Sequence, residues 1–317
     1  MKKISIVVSV YNEEEALPKF LETFDGIKNS LLWDYEIIFV NDGSTDNSCI
    51  ILEEYAEIEK KAKIIEFSRN YGHEAAMLAG IDYATGDGVI CMDADLQHPL
   101  HCIPKIIDAF NEGYNVINMI RTENRSAGIL KNLTSRIFYR VINVLTDKAK
   151  FEENASDFFA IDRKIIHVLR KHYREKIRFL RGYVQSIGFK KCSIEYKAAD
   201  RAGGTSHYSF KKLINFAANT IVCFSDLPLK LGIYAGLVSA LCGIIVLIYS
   251  LCTISNAPNG YTTIVVLICF MFSVLFVLVG VIGQYISVLF AEIKNRPIYL
   301  VDHTINCDEK NKDTNYE

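Results

Sequence analysis

The run Ile4-Ser5-Ile6-Val7-Val8-Ser9-Val10, leading directly into Tyr11-Asn12-Glu13-Glu14-Glu15, decides how the rest of the chain is read. With Lys2 and Lys3 ahead of it, the run looks like the start of a signal peptide. The apolar stretch stops at Val10, however, and no small-residue cleavage site follows. It reads instead as a buried strand that opens on a polar edge. The same pattern recurs downstream. Tyr35 to Val40 runs into Asn41-Asp42-Gly43-Ser44-Thr45-Asp46, Gly88 to Met92 into Asp93-Ala94-Asp95-Leu96-Gln97-His98-Pro99, and Asn115 to Ile120 into Arg121. Lys63 to Phe67 is a fifth run of this kind. Near-continuous apolar runs mark strands covered on both faces. The stretches between them, Glu14 to Ile27, Asp46 to Glu59, His73 to Ala84 and Pro99 to Asn111, have helical spacing, with Asp46 and Pro99 as start signals. The fold class is therefore α/β, Rossmann-like, with a mostly parallel sheet.

Of the chain's 72 Asp, Glu, Lys and Arg residues, none lies in the 61 positions from Leu231 to Ala291. Leu231 to Ile254 and Tyr261 to Phe290 are each long enough to cross about 30 Å of hydrocarbon at about 1.5 Å per residue. The expected architecture is a soluble domain with a C-terminal two-helix transmembrane hairpin. Lys211, Lys212 and Lys230 before the first span and Lys294 and Arg296 after the second, with no cation in Ser255 to Gly260, put the domain and both termini on the cytoplasmic face. The protein is then expected in the inner membrane, crossing it more than once. Phe210, Leu213, Ile214, Ala217, Ile221 and Phe224 recur at helical spacing beside Lys211 and Lys212. This suggests an interfacial helix, with a helix packed on the soluble core as the alternative. The expected divisions are 1–208 for the domain, 209–230 for the interfacial helix, 231–291 for the spans and 292–317 for a cytoplasmic tail. Gly232, Gly236, Gly243, Gly280 and Gly283 would let helices approach closely, a weak sign of a homo-oligomer.

A net charge of −2 argues against a general grip on nucleic acid. Nine cysteines without a CxxC pair fit neither a disulfide framework nor a zinc site, and they suit a reducing compartment.

In an open parallel sheet, ligands bind outside the carboxyl ends of the strands, and here three acidic clusters converge there. A dinucleotide site would need GxGxxG after the first strand, yet the first glycine is Gly26. The chain offers Asp93 and Asp95 instead, with the amide oxygen of Gln97 nearby. These are hard oxygen ligands suited to Mg²⁺ or Mn²⁺, and a cation held there would bridge a substrate diphosphate and offset the charge growing on the leaving group.

VVSVYNEEE (7–15), VNDGSTDNS (40–48), SRNYGHEAAMLAGIDYATGD (68–87), DADLQHP (93–99) and RAGGTSHY (201–208), followed by the paired spans, resemble the inverting family 2 glycosyltransferases of GT-A fold. Within them the chain is similar to the polyprenyl-phosphate glycosyltransferases, the group of dolichol-phosphate mannose synthase and the bactoprenol glucosyl transferases. The resemblance implies transfer of one hexose, with inversion, from a nucleotide sugar such as UDP-glucose to polyprenyl (undecaprenyl) phosphate. It also implies roles. Val10, Tyr11, Glu13 and Asp42 would hold the nucleoside, Asp93, Ala94 and Asp95 with Gln97 the metal and diphosphate, and Arg201 the diphosphate from a loop. Glu13 also suits a helix N-terminus, and Asp42 a turn before Gly43. A lysine commonly follows the serine in the last motif, and His207 replaces it here. Arg121, Arg125, Lys131, Arg136 and Arg140 form a cationic series opposed only by Glu123; by resemblance Arg121 and Arg136, with Ser135, would hold the acceptor phosphate. Asp157 matches the acidic position near the reacting centre. It would be a general base for an alcohol acceptor and an orienting group for a phosphate, or a structural helix cap. Two alternatives stay open: a processive polysaccharide synthase, whose QxxRW motif is lacking because the one Trp is Trp33, and a non-catalytic membrane-anchored nucleotide-sugar binding protein.

Overall fold

The computed structural model describes residues 2–122, 155–198 apart from 177, scattered positions between 232 and 248, and 260–307. The chain forms two compact units, 1–213 with 296–317, and 214–295.

The first unit is built on one eight-stranded sheet. Its strands are β1 (Lys3–Val10), β2 (Asp34–Asn41), β3 (Ala62–Phe67), β4 (Gly88–Asp93), β5 (Val116–Arg121), β6 (Ala155–Asp162), β7 (Lys191–Tyr196) and β8 (Val301–Ile305), in the order β7-β5-β6-β4-β1-β2-β3-β8. β4, β1, β2 and β3 run parallel, as their continuous apolar sequences require. Beyond them the sheet is mixed: β6 lies antiparallel between β4 and β5, and β7 is parallel to β5.

One face carries α1 (Leu17–Ile27), α2 (Ser48–Ile58) and α4 (Ile103–Asn111), which bury Leu17, Phe20, Phe24, Leu52, Ile106 and Phe110 against Ile4, Ile6, Val8, Ile37 and Phe39. Prolines at the first turns of α1 and α4 preset the helical φ where no backbone donor is needed. On the other face lie α3 (His73–Tyr83), α5 (Arg163–His172) and α6 (Leu180–Ser186). α3 reaches the sheet closely because Gly80 sits over Val7, where a Cβ would come within 2.1 Å of Val7 Cγ1. Buried Glu36 joins this face to the strand starts by accepting from Lys3, Ser5 and Thr85. Burial opposes its charge, but the bonds from Lys3, Ser5, Thr85 and Lys63 hold its pKa down at about 2.

Part of the expected tail, 292–317, belongs to this sheet. β8 pairs antiparallel with the free edge of β3. Only five residues long and half exposed, it presents the mixed sequence Val-Asp-His-Thr-Ile, in which no continuous apolar run marks a strand.

In the second unit α7 (Gly260–Ile293) is apolar all round, and its stretch Phe270–Ile293, of mean hydropathy 2.4, is not buried. It is long and apolar enough to cross a membrane. Described residues between Gly232 and Ile248 are helical, but no second continuous helix is seen among the described residues, so a two-helix hairpin rests on the sequence. The interfacial segment also lies outside the described residues.

Candidate active site

The loops after β1 and β2 are tied to each other by their own polar side chains. Asn12, at a φ of 54°, donates its amide to Ser44 Oγ and accepts from the Thr45 amide. The amides of Glu13 and Glu14 donate to Ser48 Oγ and Asp46, while Glu14 accepts from Asn47. Val10 carbonyl accepts from the Asp42 amide at 2.9 Å. Tyr11 stands 40% exposed above this frame. The motif residues thus build the edge as well as face it.

Asp42 is buried, and its carboxylate accepts from the amides of Tyr71 (2.6 Å) and Gly72 (2.9 Å). Burial lifts its pKa above the ordinary value despite those two bonds. The neighbouring Gly43 has φ +65°, and a Cβ there would come within 2.5 Å of the Arg69 backbone. Only glycine lets the β2 and β3 loops meet so closely.

Ser9 is paired with Asp93 across β1 and β4, and Cys91 with Phe159 across β4 and β6. Continuing that second ladder brings Asp157 opposite Asp93. The inserted antiparallel strand therefore delivers a carboxylate to the same edge as the parallel ones. His73, at the start of α3, lies over the row. Its Nδ1 is 2.9 Å from Ser9 Oγ and 3.5 Å from Asp93 Oδ1, and its Nε2 is 3.9 Å from Asp157 Oδ2. Burial works against its positive charge, but Asp93, Asp157, Glu74 and Asp42 outweigh that and raise its pKa. Arg181 of α6 lies 3.8 Å from the other carboxylate oxygen, Asp157 Oδ1, and donates to Ala155 carbonyl. Glu74 accepts from the Leu180 amide, and burial followed by the charge of Asp157 pushes its pKa up to about 7.

Asp95 and Ala94 are buried. Asp95 Oδ1 accepts from the Gln97 amide, with Leu96 between them at φ 61°, and His98 Nδ1 accepts from the Asp93 amide. A left-handed Leu is a strained conformation of the kind that collects at functional sites. Gln97 turns its amide oxygen to Arg121 Nη2 at 2.7 Å, so the expected acceptor arginine is bonded to the Asp93–Pro99 loop. Among the described residues no group of three or more His, Cys, Asp or Glu side chains forms a ready metal cage. Asp93 and Asp95 could still each give an oxygen to a divalent cation completed by substrate phosphates, which is how Mg²⁺ is commonly held.

The structure thus brings Val10, Tyr11, Glu13, Asp42, Asp93, Ala94, Asp95, Gln97, Arg121 and Asp157 to one edge. Ser135, Arg136 and Arg201 lie outside the described residues. The site also contains His73, Glu74 and Arg181, which the strand-end pattern does not mark directly; the signal that could find the first two is that they follow β3 as the acidic clusters follow β1, β2 and β4.

Residues 5–170, which hold Asp42, Asp93, Asp95 and Asp157, match the glycosyl transferase family 2 model. The glycosyltransferase YkcC of Bacillus subtilis (strain 168) is 35% identical over 309 residues, covering 96% of this chain and 95% of its own. A bactoprenol glucosyl transferase derived from prophage SfII of Shigella flexneri is 36% identical over 303 residues, 94% of this chain and 97% of its own. A prophage bactoprenol glucosyl transferase homolog of Escherichia coli (strain K12) is 35% identical over 94% of this chain and 98% of its own. With a GT-A-like sheet, acidic strand ends and full-length relatives in agreement, the chain belongs to glycosyl transferase family 2 and is a glycosyltransferase.

Proposed function

We propose that the protein transfers one hexose from a nucleotide sugar, with UDP-glucose the first to test, to polyprenyl phosphate at the cytoplasmic face of a membrane. The observation that carries this reading is the meeting of Asp93, Asp95, Asp157, Arg121 and Arg181 on one sheet edge, in a chain whose full-length relatives include proteins named for bactoprenol glucosyl transfer. The uncharged 61 residues support two spans that keep the domain beside a lipid acceptor.

The β1 and β2 loops, with Tyr11 and Asp42, take the nucleoside. Asp93 and Asp95 would hold Mg²⁺ or Mn²⁺, which when bound offsets charge on the diphosphate leaving group; Gln97, the third expected ligand, would join them by turning its amide oxygen from Arg121. Arg121 and, by resemblance, Ser135, Arg136 and Arg201 grip phosphate oxygens. A phosphate monoester with a second pKa near 6 is largely a dianion at pH 7, so it attacks the anomeric carbon without surrendering a proton to a base. Asp157, with His73 at 3.9 Å and Arg181 at 3.8 Å, then serves to orient a sugar hydroxyl rather than to deprotonate the acceptor. The division proposed from sequence is 1–208 for the domain, 209–230 for the interfacial helix and 231–291 for the spans, while 292–317 is not a separate tail, because its β8 pairs with β3 and 296–317 groups with the domain.

Incubating the purified protein with polyprenyl phosphate, Mg²⁺ or Mn²⁺ and a panel of nucleotide sugars should give one lipid product heavier by a single hexose in the mass spectrum. Longer glycan chains, or no product with any donor, would refute the reading.

A further inference from the structure

The loop from Ser68 to Gly72 joins β3 to α3 and closes one side of the Asp42 edge. Two groups of contacts hold it. From within the edge, Asp42 accepts from the Tyr71 and Gly72 amides, and Gly43 lies against the Arg69 backbone. From outside, the contacts come from the chain that follows α7. Ser68 donates its amide to Leu300 carbonyl at 3.1 Å, continuing the β3–β8 ladder past Phe67, which is paired with Val301. Tyr299 is buried and stacks on Phe67 with ring centroids 5.1 Å apart and planes at 12°. Phe67 in turn meets Tyr71 edge to face at 5.7 Å, and Arg69 covers the Tyr71 ring at 4.4 Å.

Tyr299 is itself locked. Its hydroxyl donates to Asp82 Oδ2 at 2.6 Å, and Asp82 is gripped by both of its oxygens from Arg174 Nη1 at 2.9 Å. The far end of β8 is pinned separately, where Asn306 donates to the carbonyls of Ala56 and Ala62. A five-residue, half-exposed edge strand would hardly justify so many specific bonds if its role were only to cover an edge. Its first contacts converge on the one loop whose amides Asp42 needs.

We propose that Tyr299 and Leu300 are positioning residues for the donor site: they hold the Ser68–Gly72 loop so that Asp42 and Tyr71 keep the geometry that receives the nucleoside. The proposal rests on the reading above that this edge takes the nucleotide. Its consequence is that donor affinity depends on a segment beyond the membrane helix, far outside the 5–170 span that matches the family. Loss of the Tyr299 ring frees Phe67 and Tyr71, the two loop amides then exchange between Asp42 and water, and the nucleoside has to order them on binding.

The test uses the full chain in lipid nanodiscs, with UDP and Mg²⁺ as the probe. Tyr299→Ala should weaken UDP binding by about tenfold and raise the donor KM to match, with kcat at saturating donor and the acceptor KM changed less than about threefold. Hydrogen exchange should speed up in peptides covering residues 68–72. Asn306→Ala, which loosens the far end of the same strand, should leave UDP affinity unchanged. If Tyr299→Ala does not fold, Tyr299→Leu fills the slot without the stack or the hydroxyl and should show the same split. UDP affinity within twofold of wild type, or equal losses for donor and acceptor, overturns the proposal. Failure of the wild-type protein to bind UDP would refute the donor reading itself, and exchange at 68–72 would then decide alone whether Tyr299 holds the loop.

Discussion

Replacing Glu74 by Gln should stabilise the protein at pH 8 and change little at pH 5. The carboxyl has an ordinary value of 4.5 and a folded-state pKa of about 7, raised first by burial and then by the charge of Asp157. Below pH 4.5 it is protonated in both folded and unfolded chains, and its burial carries no ionic cost. Between 4.5 and 7 only the folded state keeps the proton, so stability falls as pH rises. Above 7 the loss is complete. That displacement corresponds to roughly 3 kcal/mol at pH 8 and under about 1 kcal/mol at pH 5, and solvent reaching this half-buried position makes both upper values. Gln is nearly the same shape, and its amide oxygen can still accept from Leu180, so the substitution removes charge without removing that bond. For a chain of this size the gain at pH 8 amounts to a melting-point rise on the order of 5 °C. The assay is thermal unfolding of detergent-solubilised protein at the two pH values. The gain should also shrink in an Asp157→Asn background, because the second cause of the raised pKa is then gone. An equal shift at both pH values, or a drop at pH 8, would refute the reasoning.

Two further outcomes follow from the site and from the proposed pair of spans. Asp95→Asn should abolish turnover and Asp93→Asn should weaken it severely, with chelation stopping the wild type and added Mn²⁺ or Mg²⁺ restoring it; near-normal rates for Asp95→Asn at saturating donor would remove the metal assignment. A topology reporter fused after Glu317 should behave as cytoplasmic and one inserted at Asn259 as external, and the reverse pattern would overturn the two-span orientation.

Strands β1 to β5 were legible because each is a run of apolar residues bounded by a polar burst, a pattern that burial on both faces imposes directly on sequence. The other three strands lack that imprint. β7 alternates exposed and half-buried residues at one edge of the sheet, and β8 is short at the other. β6 has a continuous core, Phe158 to Ile161, but nothing local in the sequence says that an antiparallel strand enters between β4 and β5. The same limit applies to the site. Asp42, Asp93 and Asp95 announce themselves by following strands. His73 and Glu74 look like ordinary residues in the first turn of a helix, and only the register of β1, β4 and β6 puts Asp157 beside them.

The pairing of β3 with β8 also sets a timetable for biosynthesis. Between Phe67 and Val301 the ribosome adds about 230 residues, which at roughly 5–20 residues per second takes on the order of ten to fifty seconds. Throughout that interval the β3 edge offers unpaired backbone groups to any passing strand. The catalytic domain is therefore complete only after the apolar segment has left the ribosome. Nascent chains stalled before Val301 should be more prone to sticking together than the finished protein.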